Sequence, residues 1–294
     1  KVPVYLKPGG SEPWTPYRLR AALLQAGLPE SAISMYPSDH EGANTLLEVS
    51  DRGMVFGQAS TVAAYVNNPA VSVHGPGYSK VILGDDARES ADSYLDVLVD
   101  SVLDNGGRSC INASTIVVSN GGRALALALA ERLGQVRAAA LDDPEARLAA
   151  FASPEAAERM AEHIARLRGD AVEDCTAAHG DAVQRVDGLA FMRPTVLWCP
   201  DPAHPLAKTE YPFPFVSVVE VPQSEMIDWL GDTLVLTAIT DDAGQRSELL
   251  RRSQADRLNL GAVKTTVVDW TQPHQGNLFE DLYRRRALTV ASNG

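Results

Sequence analysis

An α/β fold with parallel sheets is what this chain of 294 residues predicts. Through about the first 85 residues, short apolar runs, turns marked by Gly or Pro, and helical stretches alternate, as they do in βαβ units. From about Ala91 to Leu103 one helix face is continuously apolar, because Leu95, Leu98, Val99, Val102 and Leu103 fall at i, i+3, i+4, i+7 and i+8. Further on, runs such as Leu234–Thr240 are apolar on both faces, the signature of strands buried inside a sheet.

Taken in order, Val2–Leu6 predicts a buried strand, broken by Lys7-Pro-Gly-Gly10. Tyr17–Ala26 predicts a helix with Leu19, Ala22, Leu23 and Ala26 on one face, Pro16 near its start and Gly27 past its end. Ala32–Tyr36 reads as a short strand and Thr45–Glu48 as part of a helix. Met54–Phe56 reads as a strand leading into Gly57-Gln-Ala-Ser60 and a helix over Thr61–Val66. Val71–Val73 and Lys80–Leu83 are expected strands about the turn Gly75-Pro-Gly77. After the helix at 91–103, Asn105-Gly-Gly107 supplies a left-handed C-cap and delivers Arg108-Ser-Cys110. Thr115–Val118 predicts a strand, Gly122–Leu133 a strong helix, and residues 136–155 one or two short helices. Pro154–Leu167 predicts a helix with Met160, Ile164 and Leu167 inward, and residues 169–189 a polar surface excursion. Phe191–Trp198, Phe215–Val221, Leu234–Thr240 and Ala262–Asp269 read as strands, with a helix at Ala243–Ser253.

Composition narrows the function. Hydrophobic residues are 45% and charged ones 22%, which argues for a globular chain and against disorder. Against 38 Asp+Glu stand 26 Lys+Arg, a net charge of −12 that repels phosphates and anionic headgroups. No nucleic acid and no membrane is therefore expected as a partner. No apolar run reaches the roughly 18 residues of a spanning helix, and Lys1–Leu6 is too short for a signal peptide. The three cysteines, Cys110, Cys175 and Cys199, are odd in number and sparse, as free thiols are in a reducing compartment. The expected location is cytoplasmic. The six His are scattered, with no CxxC and no His/Cys cluster, so no metal site is expected.

Cys110 is the candidate nucleophile. It follows a Gly-Gly turn, whose backbone N–H groups suit a developing oxyanion, and Arg108 beside it favours thiolate. The competing reading is a buried structural thiol. Cys175, in a polar stretch, reads as a surface thiol, and Cys199 at the end of an apolar strand as structural. Trp198, Trp229 and Trp270 read as pocket-lining or as core residues.

Several segments, in order, resemble the aldehyde dehydrogenase superfamily. Val4-Tyr-Leu-Lys7-Pro8 with Thr15-Pro16 resembles its strand-Lys-Pro segment, and Ala26-Gly-Leu-Pro29 its helix-ending Ala-Gly-x-Pro. Val55-Phe56-Gly-Gln-Ala-Ser60-Thr-Val62 stands where the family has Phe-Thr-Gly-Ser-Thr-x-Val. Gly75-Pro-Gly-Tyr-Ser-Lys-Val-Ile82 stands where it has Gly-Gly-Lys-Ser-Pro-x-Ile-Val. Asn105-Gly-Gly-Arg-Ser-Cys110 resembles its nucleophile motif, and Arg193-Pro-Thr-Val-Leu197 its Pro-Thr-Val-Leu strand. Glu210-Tyr-Pro-Phe-Pro-Phe-Val216 resembles its Glu-x-Phe-Gly-Pro-Val, and Pro273-His-Gln-Gly276 its late Pro-x-Gly-Gly.

The resemblance implies an oxidoreductase dependent on NAD or NADP that interconverts an aldehyde and an acid or acyl thioester. In it Cys110 attacks the carbonyl and lends its N–H to the oxyanion. Glu210 accepts from the nicotinamide ribose and Lys7 reaches the adenosine ribose. Gly57, Gln58, Ala59 and Ser60 face the pyrophosphate, at a helix start whose free N–H groups and dipole suit phosphate. The family's general base is a Glu, and its position here is Val73, which cannot take a proton. Three alternatives follow. The acyl group passes to a thiol such as coenzyme A. Or His74, on the neighbouring position, is the base. Or the site is silent and the protein structural, serving in oligomerisation. Gln58 and Ala59 depart from the family's phosphate turn.

The implied fold is a partial Rossmann-type cofactor domain plus an α/β catalytic domain. Residues 1–84 would be the later half of the cofactor domain, 85–270 the catalytic domain, and 271–294 a tail returning to the first. The family's amino-terminal portion has no counterpart here, so the chain is either a fragment or associates with a chain that supplies the rest. A homo-oligomer is the other assembly the resemblance admits.

Overall fold

The computed structural model describes the chain except residues 1, 11, 254, 274, 276–281, 284–286, 288 and 291–294. Two compact units form, Lys1–Gly75 with Phe279–Gly294, and Pro76–Leu278. The expected tail at 271–294 and the Pro273–Gly276 segment lie largely outside the described residues.

In the first unit two parallel strand pairs alternate with helices, as the βαβ reading predicts. Strand β1 (Val4–Leu6) pairs with β2 (Ile33–Met35), and β3 (Gly53–Phe56) with β4 (Val71–His74). Helices α1 (Trp14–Gln25), α2 (His40–Glu48) and α3 (Ala59–Val62) accompany them. Asp39 caps α2 by accepting from Gly42 N at 3.0 Å. Two-stranded sheets cover little, and here the expected burial fails: β1 is largely exposed and α1 buries none of its residues, Leu19 and Leu23 included. Phe56 is 70% exposed. Helix α3 is shorter than the Thr61–Val66 expectation and starts earlier.

The second unit is built on seven strands. They are β5 (Lys80–Leu83), β6 (Thr115–Val118), β7 (Glu173–Asp174), β10 (Thr195–Cys199), β11 (Phe215–Glu220), β12 (Thr233–Ile239) and β13 (Ala255–Leu260), in the spatial order β13-β12-β5-β6-β11-β10-β7. All neighbours run parallel except β7, an antiparallel edge. A hairpin of β8 (Val183–Val186) and β9 (Leu189–Met192) stands apart. The helices are α4 (Asp85–Arg88), α5 (Leu95–Leu103), α6 (Gly122–Leu133), α7 (Pro154–Arg168), α8 (Met226–Leu230) and α9 (Ala243–Arg252). One apolar cluster joins the α5 stripe of Leu98, Val99, Val102 and Leu103 to α6 and one face of the sheet. A second cluster covers the other face, around Val117, Leu197 and Leu236.

Several expectations change here. The first compact unit ends at Gly75, short of the expected domain boundary at 84, and β5 is an interior strand of the seven-stranded sheet. Residues 136–155 form no helix before α7. They run as irregular chain, with Arg108 donating to the carbonyls of Ala149 and Ala150 at 3.3 and 2.5 Å. Segment 169–189 is no mere excursion, since it supplies β7, β8 and the buried Val172 and Cys175. Arg193, fully buried, pairs with Asp174 at 2.8 Å and so holds that edge. Leu167 is exposed, while Ile164 is buried. Ala262–Asp269 is not a strand. It crosses α5 as irregular chain, with Thr265 N donating to Ser101 Oγ at 3.1 Å and Thr266 Oγ1 to Asp104 Oδ2 at 2.8 Å. Trp270, 94% exposed, lines no core.

Candidate active site

The loops that enter β12, β5, β6 and β11 lie side by side, because those four strands are neighbours and run parallel. They carry Asp232, Gly77–Tyr78, Cys110 and Glu210. The site of the second unit is thus assembled at the amino ends of its central strands.

Cys110 is delivered by a sharp exit from α5. Asn105, Gly106 and Gly107 take φ of 56°, 64° and 68°, as the Asn-Gly-Gly sequence predicts. At Gly107 no side chain fits, since a Cβ would stand 2.2 Å from Pro214 N. Asn112 fastens the loop. Its Nδ2 donates to the carbonyls of Ser101 (3.1 Å), Val102 (3.3 Å) and Asp104 (2.9 Å), and its Oδ1 accepts from Ser109 N at 3.0 Å. Sequence reading missed Asn112; the buried amide two residues beyond the cysteine was the available signal. Cys110 itself is half-buried against Ile111, Leu234 and Val235.

Burial pushes the Cys110 thiol up, and the Glu210 carboxylate adds to the rise; the Ser109 hydroxyl, the Cys110 amide and Arg257 oppose it. Arg108, expected to favour thiolate, is spent elsewhere, on the Ala149 and Ala150 carbonyls and the Phe151 ring. Cys175 is buried rather than a surface thiol, and Cys199 is buried as expected. Burial pushes both thiols up to about 11.

Glu210 meets Cys110 through one turn. Glu210 Oε2 accepts from Gly77 N at 3.0 Å and Tyr78 N at 2.7 Å. Gly77 lies so close on Cys110 that a Cβ would stand 1.9 Å from the Cys110 carbonyl oxygen. Ser79 Oγ donates to that oxygen at 2.8 Å and accepts from Val235 N at 3.2 Å. Burial pushes the Glu210 carboxyl up to about 6, against the two amides and the Lys80 charge. Lys80, unremarked in the sequence, is 1% exposed at the start of β5.

The remaining expected residues belong to the first unit. Lys7 follows β1, half-buried. Gly57 N donates to His74 O at 3.1 Å, and a Cβ on Gly57 would fall 2.9 Å from Thr61 Cβ, so the turn lies tightly on α3. Gln58, Ala59 and Ser60 are exposed in its first turn. His74 is buried, stacked on Phe56 with 4.5 Å between centroids, and its Nε2 is 3.1 Å from Ser72 Oγ. Among the described residues no group of three or more His, Cys, Asp or Glu could hold a metal ion, and no helix is long and apolar enough to cross a membrane.

A cysteine and a carboxylate joined by one glycine turn thus lie at the head of the parallel sheet of an α/β protein. The family model of the aldehyde dehydrogenases matches residues 3–277, and the chain belongs to that family. Among solved structures it resembles a betaine aldehyde dehydrogenase double mutant from Staphylococcus aureus in complex with NAD+, with a TM-score of 0.78 at 18% identity, over 94% of this chain and 57% of that one. An aldehyde dehydrogenase from Brucella melitensis gives 0.75 at 18%, over 91% and 56%. One from Bacillus cereus, an NAD+ complex, gives 0.75 at 17%, over 88% and 54%. The chain thus spans little more than half the length of these relatives. No curated protein matches the sequence.

The dinucleotide that the family implies fits the chemistry of Glu210. Both amide bonds fall on Oε2, which leaves Oε1 to accept from a ribose hydroxyl.

Proposed function

We propose that the protein is an NAD(P)-dependent oxidoreductase that interconverts an aldehyde and an acyl thioester through a thioester on Cys110. The observation that carries this reading is the Gly77–Tyr78 turn, which fixes Glu210 and abuts the Cys110 backbone. The Cys110 thiolate attacks the aldehyde carbon, and the backbone N–H of Cys110 supports the oxygen as it gains charge. When bound, NAD(P) supplies the hydride acceptor. Glu210 holds the nicotinamide ribose, Lys7 the adenosine ribose, and Gly57, Gln58, Ala59 and Ser60 the pyrophosphate. Sulfur then leaves as readily as it attacked.

Val73 stands where a proton-taking carboxylate would activate water, so the acyl group is released to a thiol, with coenzyme A the proposed acceptor. His74 is the competing base. Its contacts with Ser72 and Phe56 suit a strand-packed histidine better and favour the thiol. A cytoplasmic location and assembly, either with the amino-terminal portion of the family fold or as a homo-oligomer, belong to the same proposal.

The test mixes purified protein with NAD(P)H and an acyl-CoA and follows the reduced cofactor by absorbance. Oxidation that disappears in Cys110→Ala supports the proposal. Absence of turnover in both directions, with no cofactor bound, supports a catalytically silent family member. Acid formed from an aldehyde without any thiol, and abolished in His74→Gln, would restore His74 as base.

A further inference from the structure

Lys80 has no role in the chemistry above, yet it is the largest buried cation near the site apart from Arg193. Its Nζ donates to Tyr78 O at 2.7 Å, Thr233 Oγ1 at 2.9 Å and Asp232 O at 3.2 Å, which uses all three ammonium hydrogens. Neutral acceptors surround it, and no carboxylate pairs with it within 4.0 Å among the described residues. A buried ammonium without a counter-ion is expensive to keep, and packing alone would be served by Met or Leu.

The bond to Tyr78 gives a reason to keep it. Tyr78 is a non-glycine residue at φ 45°, a left-handed conformation that the backbone does not favour by itself. Its amide points at Glu210 and its carbonyl at Lys80. Gly77 is held from the other side, its carbonyl accepting from Leu234 N at 2.8 Å. Without the bond on its carbonyl Tyr78 can relax out of its left-handed φ, and that rotation tilts the Gly77–Tyr78 peptide whose amide aims the carboxylate.

We propose that Lys80 is a positioning residue: by clamping Tyr78 to the entrance of β12 it sets the Gly77 and Tyr78 amides on Glu210, and so orients the carboxylate that takes the cofactor ribose. This rests on the ribose role given to Glu210 above. The charges that bear on Lys80 are Lys208, Asp232 and Glu210. Those that bear on Glu210 include Lys80, whose positive charge favours the carboxylate form.

The experiment has two readouts. Binding of NAD and NADP is titrated calorimetrically from acid to neutral pH, and the Glu210 carboxyl is followed in the cofactor-free protein by carbon-13 NMR, with Glu210→Gln assigning the signal. In Lys80→Met, cofactor affinity falls at least about five-fold at neutral pH, and the carboxyl titrates at higher pH than in wild type. Loss of the Lys80 charge by itself raises the carboxyl titration, so a higher carboxyl titration with cofactor affinity unchanged, or a lower melting temperature with both readouts unchanged, overturns the proposal. If Lys80→Met does not fold, Thr233→Val decides by the same two measurements, since it removes one acceptor and leaves the cation. Failure of the wild type to bind either cofactor sinks the functional reading, while the NMR titration of Thr233→Val, which keeps the cation, still upholds the clamp if the carboxyl titrates higher and refutes it if the carboxyl is unmoved.

Discussion

Two side chains set the acid–base character of the site: burial raises the proton affinity of both, and the Glu210 charge adds to that of Cys110. Burial and the Glu210 charge hold the Cys110 thiol above its ordinary value, so the thiolate is a minor species at neutral pH. In Glu210→Gln the negative charge is gone, while an amide oxygen remains to accept from Gly77 and Tyr78. The thiol should then ionise at lower pH. Its alkylation by iodoacetamide, measured as rate against pH, should show a midpoint displaced to the acid side. An unmoved midpoint would mean that Glu210 does not act on the sulfur. Cys175 and Cys199, both buried with thiols pushed up to about 11, serve as the unreactive internal comparison. Glu210 itself, pushed up to about 6, is half protonated near that pH. A protonated carboxyl has lost acceptor capacity, so cofactor affinity should decline as pH falls through about 6 in wild type and stay flat in Glu210→Gln.

At the scale of elements, what could be read in the sequence was what local chemistry encodes. The α5 stripe, the buried runs of β5, β6, β11 and β12, and the left-handed exit at Asn105–Gly107 all follow from side-chain period and glycine. Strand β13 was missed because Ala-Asp-Arg-Leu-Asn-Leu is a half-buried edge, with polar residues interrupting the apolar ones. The β8–β9 hairpin carried a signal that went unread: Asp187-Gly188 lies between its strands, with φ of 50° and 77°. The path of 262–269 across α5 rests on hydrogen bonds to Ser101 and Asp104 that no local pattern announces. Of the candidate site, Cys110 and Glu210 were legible as motif residues, whereas Asn112 and Lys80 act through distant carbonyls and were not. The exit from α5 offers a direct test. Gly107→Ala must accept φ 68° and a Cβ placed 2.2 Å from Pro214 N. Left-handed strain and overpacking together should lower stability by roughly 2–4 kcal/mol, seen as a lower urea midpoint. Gly9→Ala, where a Cβ meets nothing within 4 Å, should leave the midpoint in place.

Across the whole molecule, Lys80 and Glu210 give stability a pH dependence opposite in sense to the usual ion pair. Burial lowers the Lys80 ammonium to about 8 from an unfolded value of 10.5. Between those values the unfolded chain binds the extra proton, so stability rises with pH across that window. Glu210 is raised to about 6 from 4.5, so there the folded chain binds the extra proton and stability falls as pH climbs from below 4.5 to above 6. Neutral pH is therefore where both groups are charged and both burdens are felt, on a surface that already carries a net charge of −12. Full expression of the Lys80 shift amounts to about 3 kcal/mol. Urea unfolding of wild type and of Lys80→Met, repeated at steps from pH 7 to 10.5, isolates that part, since every other titration is common to both. The wild type should gain on the variant as pH rises above 8, by up to about 3 kcal/mol. A difference that stays constant through this range would mean that the Lys80 ammonium is as well solvated in the fold as in the unfolded chain. The clamp on Tyr78 would then be an ordinary hydrogen bond rather than one made at the expense of stability.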